Sequence, residues 1–163
     1  MFFAWVEFKG VGVGVWSVGI VDSGVTDEFE AVYGANAFEY DYYSGDSETD
    51  GGRATSRGTT VATAIEFTNI QLERIDMQVS SNSGVYFLYS AVNSSLTQLI
   101  NLHDSGYKIG AVNMSWAGYN SNVTIDAQID LLETRGIIGV APVGTTAITQ
   151  VSRVHFSPHV CRM

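Results

Sequence analysis

An α/β fold, with helical layers on both faces of a mainly parallel central sheet, is what this sequence predicts, and three observations carry the prediction. Short apolar runs such as "VGIV" and "GIIGVA" read as strands buried on both faces, which belong to parallel sheets. These runs alternate with stretches whose apolar residues recur at helical spacing, the pattern of βαβ units with right-handed crossovers. The composition, 45% hydrophobic against 15% charged over 163 residues, is sufficient for one sizeable core, and no internal repeat or linker divides it.

The elements are taken in chain order. From Val11 to Val21 the run "VGVGVWSVGIV" alternates as a strand, with glycines where the backbone must approach a neighbour closely. "AFEYDYY", 37–43, reads as a second strand, and "SGDSETDGGRATSRG" comes next as a polar, glycine-rich loop. Thr59 to Phe67, "TTVATAIEF", opens on threonines and continues with small and apolar residues, as a helix does. Leu72 to Val79, "LERIDMQV", alternates apolar and polar residues as a strand and ends at "SSNSG". In the next helix Leu88, Val92, Leu96, Leu99 and Ile100 form one face, and Gly106 stops it. "KIGAVNMSWAG" is a strand, and "NVTIDAQIDLLETRG" a helix with Ile125, Ile129 and Leu132 on one side and Gly136 at its end. "IIGVAP" is the last strand, closed by Pro142. The organisation expected is one domain over 1–150 and a tail over 151–163. The tail holds two of three histidines, the single cysteine and no acidic residue.

The net charge of −9 argues against nucleic acid or an anionic membrane as partner, since both require a basic surface. Cys161 alone makes neither an intrachain disulfide nor a metal site. The apolar start "MFFAWVEFKG" is interrupted by Glu7 and Lys9 before it could serve as a signal peptide, and no run reaches transmembrane length.

"SVGIVDSGV", Ser17 to Val25, poses the functional question, because a fully apolar strand ends there in a carboxylate. Asp22 stands at the carboxyl end of its strand, where the ligand crevices of open α/β sheets lie. It can equally cap the next turn through its own side chain. "DSETDG" places Asp46, Glu48 and Asp50 at positions one, three and five of a calcium-loop pattern with Gly51 at six, but Arg57 takes the twelfth position where a bidentate glutamate belongs. No cofactor is required by these patterns, and calcium is the one they allow. Asn93, Asn113 and Asn122 lie in N-x-[ST] sequons, which matter only in a eukaryotic secretory pathway.

Three segments in order carry a family resemblance. "VGIVDSGV" resembles the catalytic-aspartate strand of the subtilisin-like serine peptidases, "SRGTTVATAI" their His-Gly-Thr-His-Val-Ala-Gly helix start, and "AVNMSWAG" their Val-Asn-Met-Ser-x-Gly-Gly substrate strand. "RGIIGVAPVGTT" falls where the strand toward the oxyanion asparagine would be. The resemblance implies a three-layer αβα fold covering the N-terminal half of such a domain, and a secreted or periplasmic setting.

Residue by residue, it implies Asp22 as the triad aspartate, Thr60 at the catalytic-histidine position, with Arg57 at the histidine opening that motif, and Thr145 at the oxyanion asparagine. Ser115, Trp116, Ala117 and Gly118 would pair with an extended peptide, with Ala117 where the family prefers glycine. The family's Gly-Thr-Ser-x-Ala nucleophile motif is absent: "HFSPHV" resembles only the residues just after that motif, an alignment that puts Val154 in the nucleophile's place. Threonine is no general base near neutral pH, so the expectation is a subtilisin-like serine endopeptidase domain inactive as written, or a non-enzymatic domain holding peptides or a partner. His103, at a helix end, fits a structural role. His155, Ser157, His159 and Cys161 would need a scaffold to act together. An uncovered apolar strand such as "GIIGVA" also predicts self-association.

Overall fold

The computed structural model describes residues 15–47, 57–68, 71–81, 86–116 and 122–141. Within them the chain runs β1 (Ser17–Asp22), α1 (Asp27–Tyr33), β2 (Phe38–Asp41), α2 (Arg57–Thr68), β3 (Glu73–Gln78), α3 (Tyr89–Asp104), β4 (Ile109–Asn113), α4 (Val123–Thr134) and β5 (Ile138–Val140). The five strands form one sheet in the order β2-β3-β1-β4-β5, and every neighbouring pair is parallel. The expected parallel α/β architecture is therefore present.

β1 lies in the middle, and all six of its residues are buried. Its side chains alternate between two cores. Val21 joins the larger one, where Val92, Leu96 and Leu99 of α3 meet Ile75, Met77 and Val112 of the sheet and Ile125 and Leu132 of α4. Ile20 joins the smaller one with Val25, Phe29 and Ala62, roofed by Val61 and Ile65 of α2. The apolar faces foreseen for α3 and α4 thus dock on the sheet, with one exception. Leu88 precedes α3 as its N-terminal cap residue and is 44% exposed.

α1 was not foreseen, although its ends carry the usual signals. The Thr26 hydroxyl accepts the Phe29 N–H, Asp27, Glu28 and Glu30 line the first turn, and Gly34 closes the helix. With seven residues it offers too short a period to stand out in the pattern. β2 is shorter than the strand expected, because Tyr42 to Gly45 form a turn in which the Asp41 carboxylate accepts the Tyr43 and Ser44 N–H groups. Packed beside Tyr40, with centroids 4.6 Å apart, Tyr42 has its phenol pushed up to about 12 by burial.

β3 departs most from the exposed-face logic of an alternating strand. Arg74, Asp76 and Gln78 are all buried. Arg74 bonds the buried Glu66 of α2, Asn36 and the Gly34 carbonyl, and its guanidinium lies 5.0 Å from the Phe29 ring. Asp76 accepts the Val25 N–H at 2.7 Å. Buried polar groups persist where they are bonded in this way. Each of these bonds fastens the segment after β1, or a helix on its face, to the neighbouring strand.

The helix that matters most for the site is α2, and its approach is fixed by a glycine. A Cβ added to Gly58 would lie 2.3 Å from the Gly24 carbonyl oxygen, so helix and turn meet backbone to backbone. Gly24 itself has φ +82°, a conformation open to glycine and strained for other residues. Gly58→Ala is expected to cost about 1–3 kcal/mol, because the obstacle is main chain that cannot rotate away. Gly19→Ala meets side-chain methyl groups rather than main chain, Leu99 Cδ2 at 3.0 Å and Val112 Cγ2 at 3.2 Å, and should cost less. Urea unfolding midpoints of the two variants check that order.

Candidate functional site

The turn between β1 and α1 and the N-terminus of α2 together build the site. Parallel strands all end on one side, and β1, being central, delivers Asp22 to the middle of that edge. Gly58 lets α2 begin against the turn, and the contact is bonded as well as close. The Gly58 N–H donates to the Ser23 hydroxyl at 3.3 Å, and the Thr26 N–H donates to the Thr59 hydroxyl at 3.1 Å.

Asp22 is completely buried. Its Oδ1 accepts the Ser23 N–H at 2.8 Å and the Arg57 Nε–H at 2.9 Å, with Oδ2 3.2 Å from the same nitrogen. The capping reading open in the sequence is met, since Oδ1 accepts the Ser23 N–H, and the same carboxylate also pairs with Arg57. Burial pushes its carboxyl above the usual carboxylate value, and the Arg57 charge and the bonds from Arg57 and Ser23 pull it back.

The side chain that meets Asp22 belongs to Arg57, one helical turn before Thr60, and Thr60 is exposed. The resemblance set Thr60 at the catalytic-histidine position and Arg57 at the histidine opening that motif, and it is Arg57 whose side chain meets Asp22. The Arg57 guanidinium lies 4.7 Å from the centroid of Phe87, and Phe87 lies 6.3 Å from the Trp116 ring. Asp22, Arg57, Phe87 and Trp116 thus form a continuous row across the carboxyl edge of the sheet. Phe87 was missed by the sequence reading; it is placed by the antiparallel bridge to Ser80, which no sequence pattern announces.

Of the residues expected to hold a peptide, Ser115 donates its hydroxyl to Asn113 Oδ1 at 2.7 Å and Trp116 is only 8% exposed. Ala117, Gly118 and Thr145 lie outside the described residues, as do Val154, His155, Ser157, His159 and Cys161. Of the calcium-loop candidates, Asp46 is exposed and pairs through its backbone with Asp41, while Glu48 and Asp50 lie outside the described residues. Among the described residues no three His, Cys, Asp or Glu side chains gather as a metal site would require. His103 sits in the last turn of α3. Among the described residues no helix is long and apolar enough to cross a membrane.

Solved structures share this fold. A cold adapted subtilisin-like serine proteinase superposes with a TM-score of 0.62 over 77% of this chain and 45% of its own, at 21% identity. The fold is that of subtilisin-like proteases. A lanthipeptide protease matches at TM-score 0.53 and 17% identity, over 74% of this chain and 34% of its own. The prenylagaramide maturation protease PagA matches at 0.50 and 14% identity, over 78% and 44%. The chain thus spans less than half the length of each of these structures. No family model and no curated protein matches it.

Two predictions come from the Asp22–Arg57 pair. In the Arg57→His variant an imidazole would stand beside the Asp22 carboxylate, and its pKa should rise above the ordinary value of about 6.5; an NMR titration of the new ring protons reads this directly. Asp22 itself binds its proton more tightly in the folded chain than in the unfolded one. Its contribution to stability is therefore full below 3.8 and is lost as pH rises through the higher folded value. Unfolding free energies of wild type and Asp22→Asn across acid pH should differ by a curve of that sign, and a flat difference would contradict it.

Proposed function

We propose that this chain is a subtilisin-like domain that holds extended peptide and performs no hydrolysis of its own. The observation that carries the reading is the Arg57 side chain on Asp22. In acyl transfer by a serine triad, a base takes the hydroxyl proton, holds it as a cation and returns it to the leaving amine, while the aspartate orients that base. Arginine cannot fill the middle role. Its guanidinium keeps its proton throughout the working range of pH and has no lone pair to accept another. With Arg57 in place the carboxylate is partnered by a permanent cation, and the proton relay has no starting point.

What the domain retains is a frame suited to binding. The β4 strand and the Ser115–Trp116 segment beyond it reach the edge where the row from Asp22 to Trp116 lies, and Tyr86, Leu88 and Tyr89 expose apolar surface beside Phe87. A peptide lying extended there would gain main-chain hydrogen bonds from the segment and apolar contact from the aromatic border. The second reading is a serine endopeptidase domain completed by further chain, and the span of less than half of each neighbour's length favours it.

A fluorophosphonate probe separates the two. Incubated with the folded chain, it is expected to leave no adduct on any serine by mass spectrometry, while an active subtilisin-like protease is labelled in parallel. A single labelled serine would mean that an activated nucleophile exists, and the endopeptidase reading would replace the first.

A further inference from the structure

The row of side chains at the sheet edge contains two hydrogen-bond donors with nothing to bond. Arg57 uses its Nε–H on Asp22, and its Nη2 is buried without an acceptor. The indole Nε1–H of Trp116 is likewise buried without an acceptor, on a side chain only 8% exposed. Both donors belong to groups packed against one ring, Phe87, with the guanidinium 4.7 Å and the indole ring 6.3 Å from its centroid. A buried donor without an acceptor carries a desolvation cost that the fold does not need to bear, and two such donors around a single ring are what a ligand with paired acceptor oxygens would relieve.

We infer that Arg57 and Trp116 form a carboxylate-binding subsite, selecting extended peptides that present a carboxylate at Phe87. A carboxylate offers two oxygens, and the planar guanidinium fork matches it better than any other side-chain cation does. The side chain of Arg57 is 39% exposed, so the guanidinium is within reach of solvent even though Nη2 is not. The Phe87 ring, half-buried and next to the exposed Leu88 and Tyr89, is the part that must yield to admit the ligand. The chain's net charge of −9 opposes an anion at long range, but exposed charges more than about 8 Å away are largely screened at physiological salt, and the selectivity is set at the contact. The inference rests on the peptide-holding reading and adds to it what the peptide must carry.

The test uses three N-acetylated pentapeptides of one apolar sequence: one with a free terminal carboxylate, one with a terminal amide, and one amidated but bearing a glutamate. Calorimetric titration into the full chain is expected to give at least one acidic peptide about tenfold tighter than the neutral amide. Binding should also move the Trp116 indole N–H resonance, assigned by its loss in Trp116→Phe. Tight binding of the free acid alone assigns a C-terminal carboxylate, and of the glutamate peptide alone an acidic side chain. Arg57→Gln should abolish the preference. Because that change strands the buried Asp22 and can cost the fold itself, Trp116→Phe, which keeps an aromatic ring and removes the donor, serves as the second variant and should weaken the acidic peptides severalfold more than it weakens the amide. Equal affinity for all three peptides would overturn the carboxylate subsite and leave the peptide-holding reading standing. No binding by any of them would overturn both.

Discussion

The contact between Gly58 and Gly24 is the constraint on which the rest of the site depends. Two backbones lie so close that a single methyl group on the helix would reach the opposing carbonyl oxygen. Everything nearby is placed by that approach. It brings the first residue of α2 over the end of β1, lets the Ser23 hydroxyl accept the Gly58 N–H, and sets the Thr59 hydroxyl under the Thr26 N–H. It also positions Ala62, Val61 and Ile65 to close the smaller core over Ile20 and Phe29. Packing and site are thus one arrangement here: the helix that seals one face of the sheet is the helix that presents Arg57.

The pairing of a buried carboxylate with a cation that never loses its proton changes the character of the crevice. A carboxylate beside an imidazole is an electrostatic device that responds to proton transfer, since the ring gains charge as the reaction proceeds. Beside a guanidinium the charge is fixed, and the pair behaves as structure. Asp22 is completely buried while Arg57 is partly exposed, so solvent screens one side of the pair and the carboxylate bears most of the desolvation. Bonds from Ser23 and Arg57 offset part of that burden. The Phe87 ring, 4.7 Å from the guanidinium, adds a cation–π contact to the pair.

Much of the fold was legible because the strands of a parallel sheet are written as unbroken apolar runs and the longer helices as apolar stripes. β1, β4 and β5 and the inward faces of α3 and α4 were visible for that reason. α1 escaped because seven residues hold hardly two turns of periodicity. The burial of Arg74 and Asp76 was invisible in β3 alone, since the groups that make their burial tolerable lie on other segments: Glu66 on α2, Asn36 before β2, and the Val25 N–H after β1. The site was half legible. Asp22 could be found from its strand, but positions 57 and 60 are three residues apart and lie near one face of a helix, separated by about 4.5 Å of rise. The Arg57–Asp22 pair itself shows which of them meets the carboxylate. Phe87 and the indole of Trp116 came together through the return of the chain after β3, which no local pattern records.

The central place of β1 has a consequence for how the chain comes to be folded. Both of its neighbours, β3 and β4, are made later, and the helices between them must be laid down before the second ladder can close. Loop-closure entropy must be met before those distant pairings give anything back, so a sheet of this topology forms slowly compared with one built from hairpins. On the ribosome Ile20 and Val21 are synthesised early and wait for their covering. During that interval the carboxylate of Asp22 ends an otherwise uninterrupted apolar segment, and a charge at that place does what gatekeeper residues do beside aggregation-prone strands. The residue that anchors the finished crevice thus also sets a charge at the end of the newborn strand, where charges in general oppose pairing of like strands.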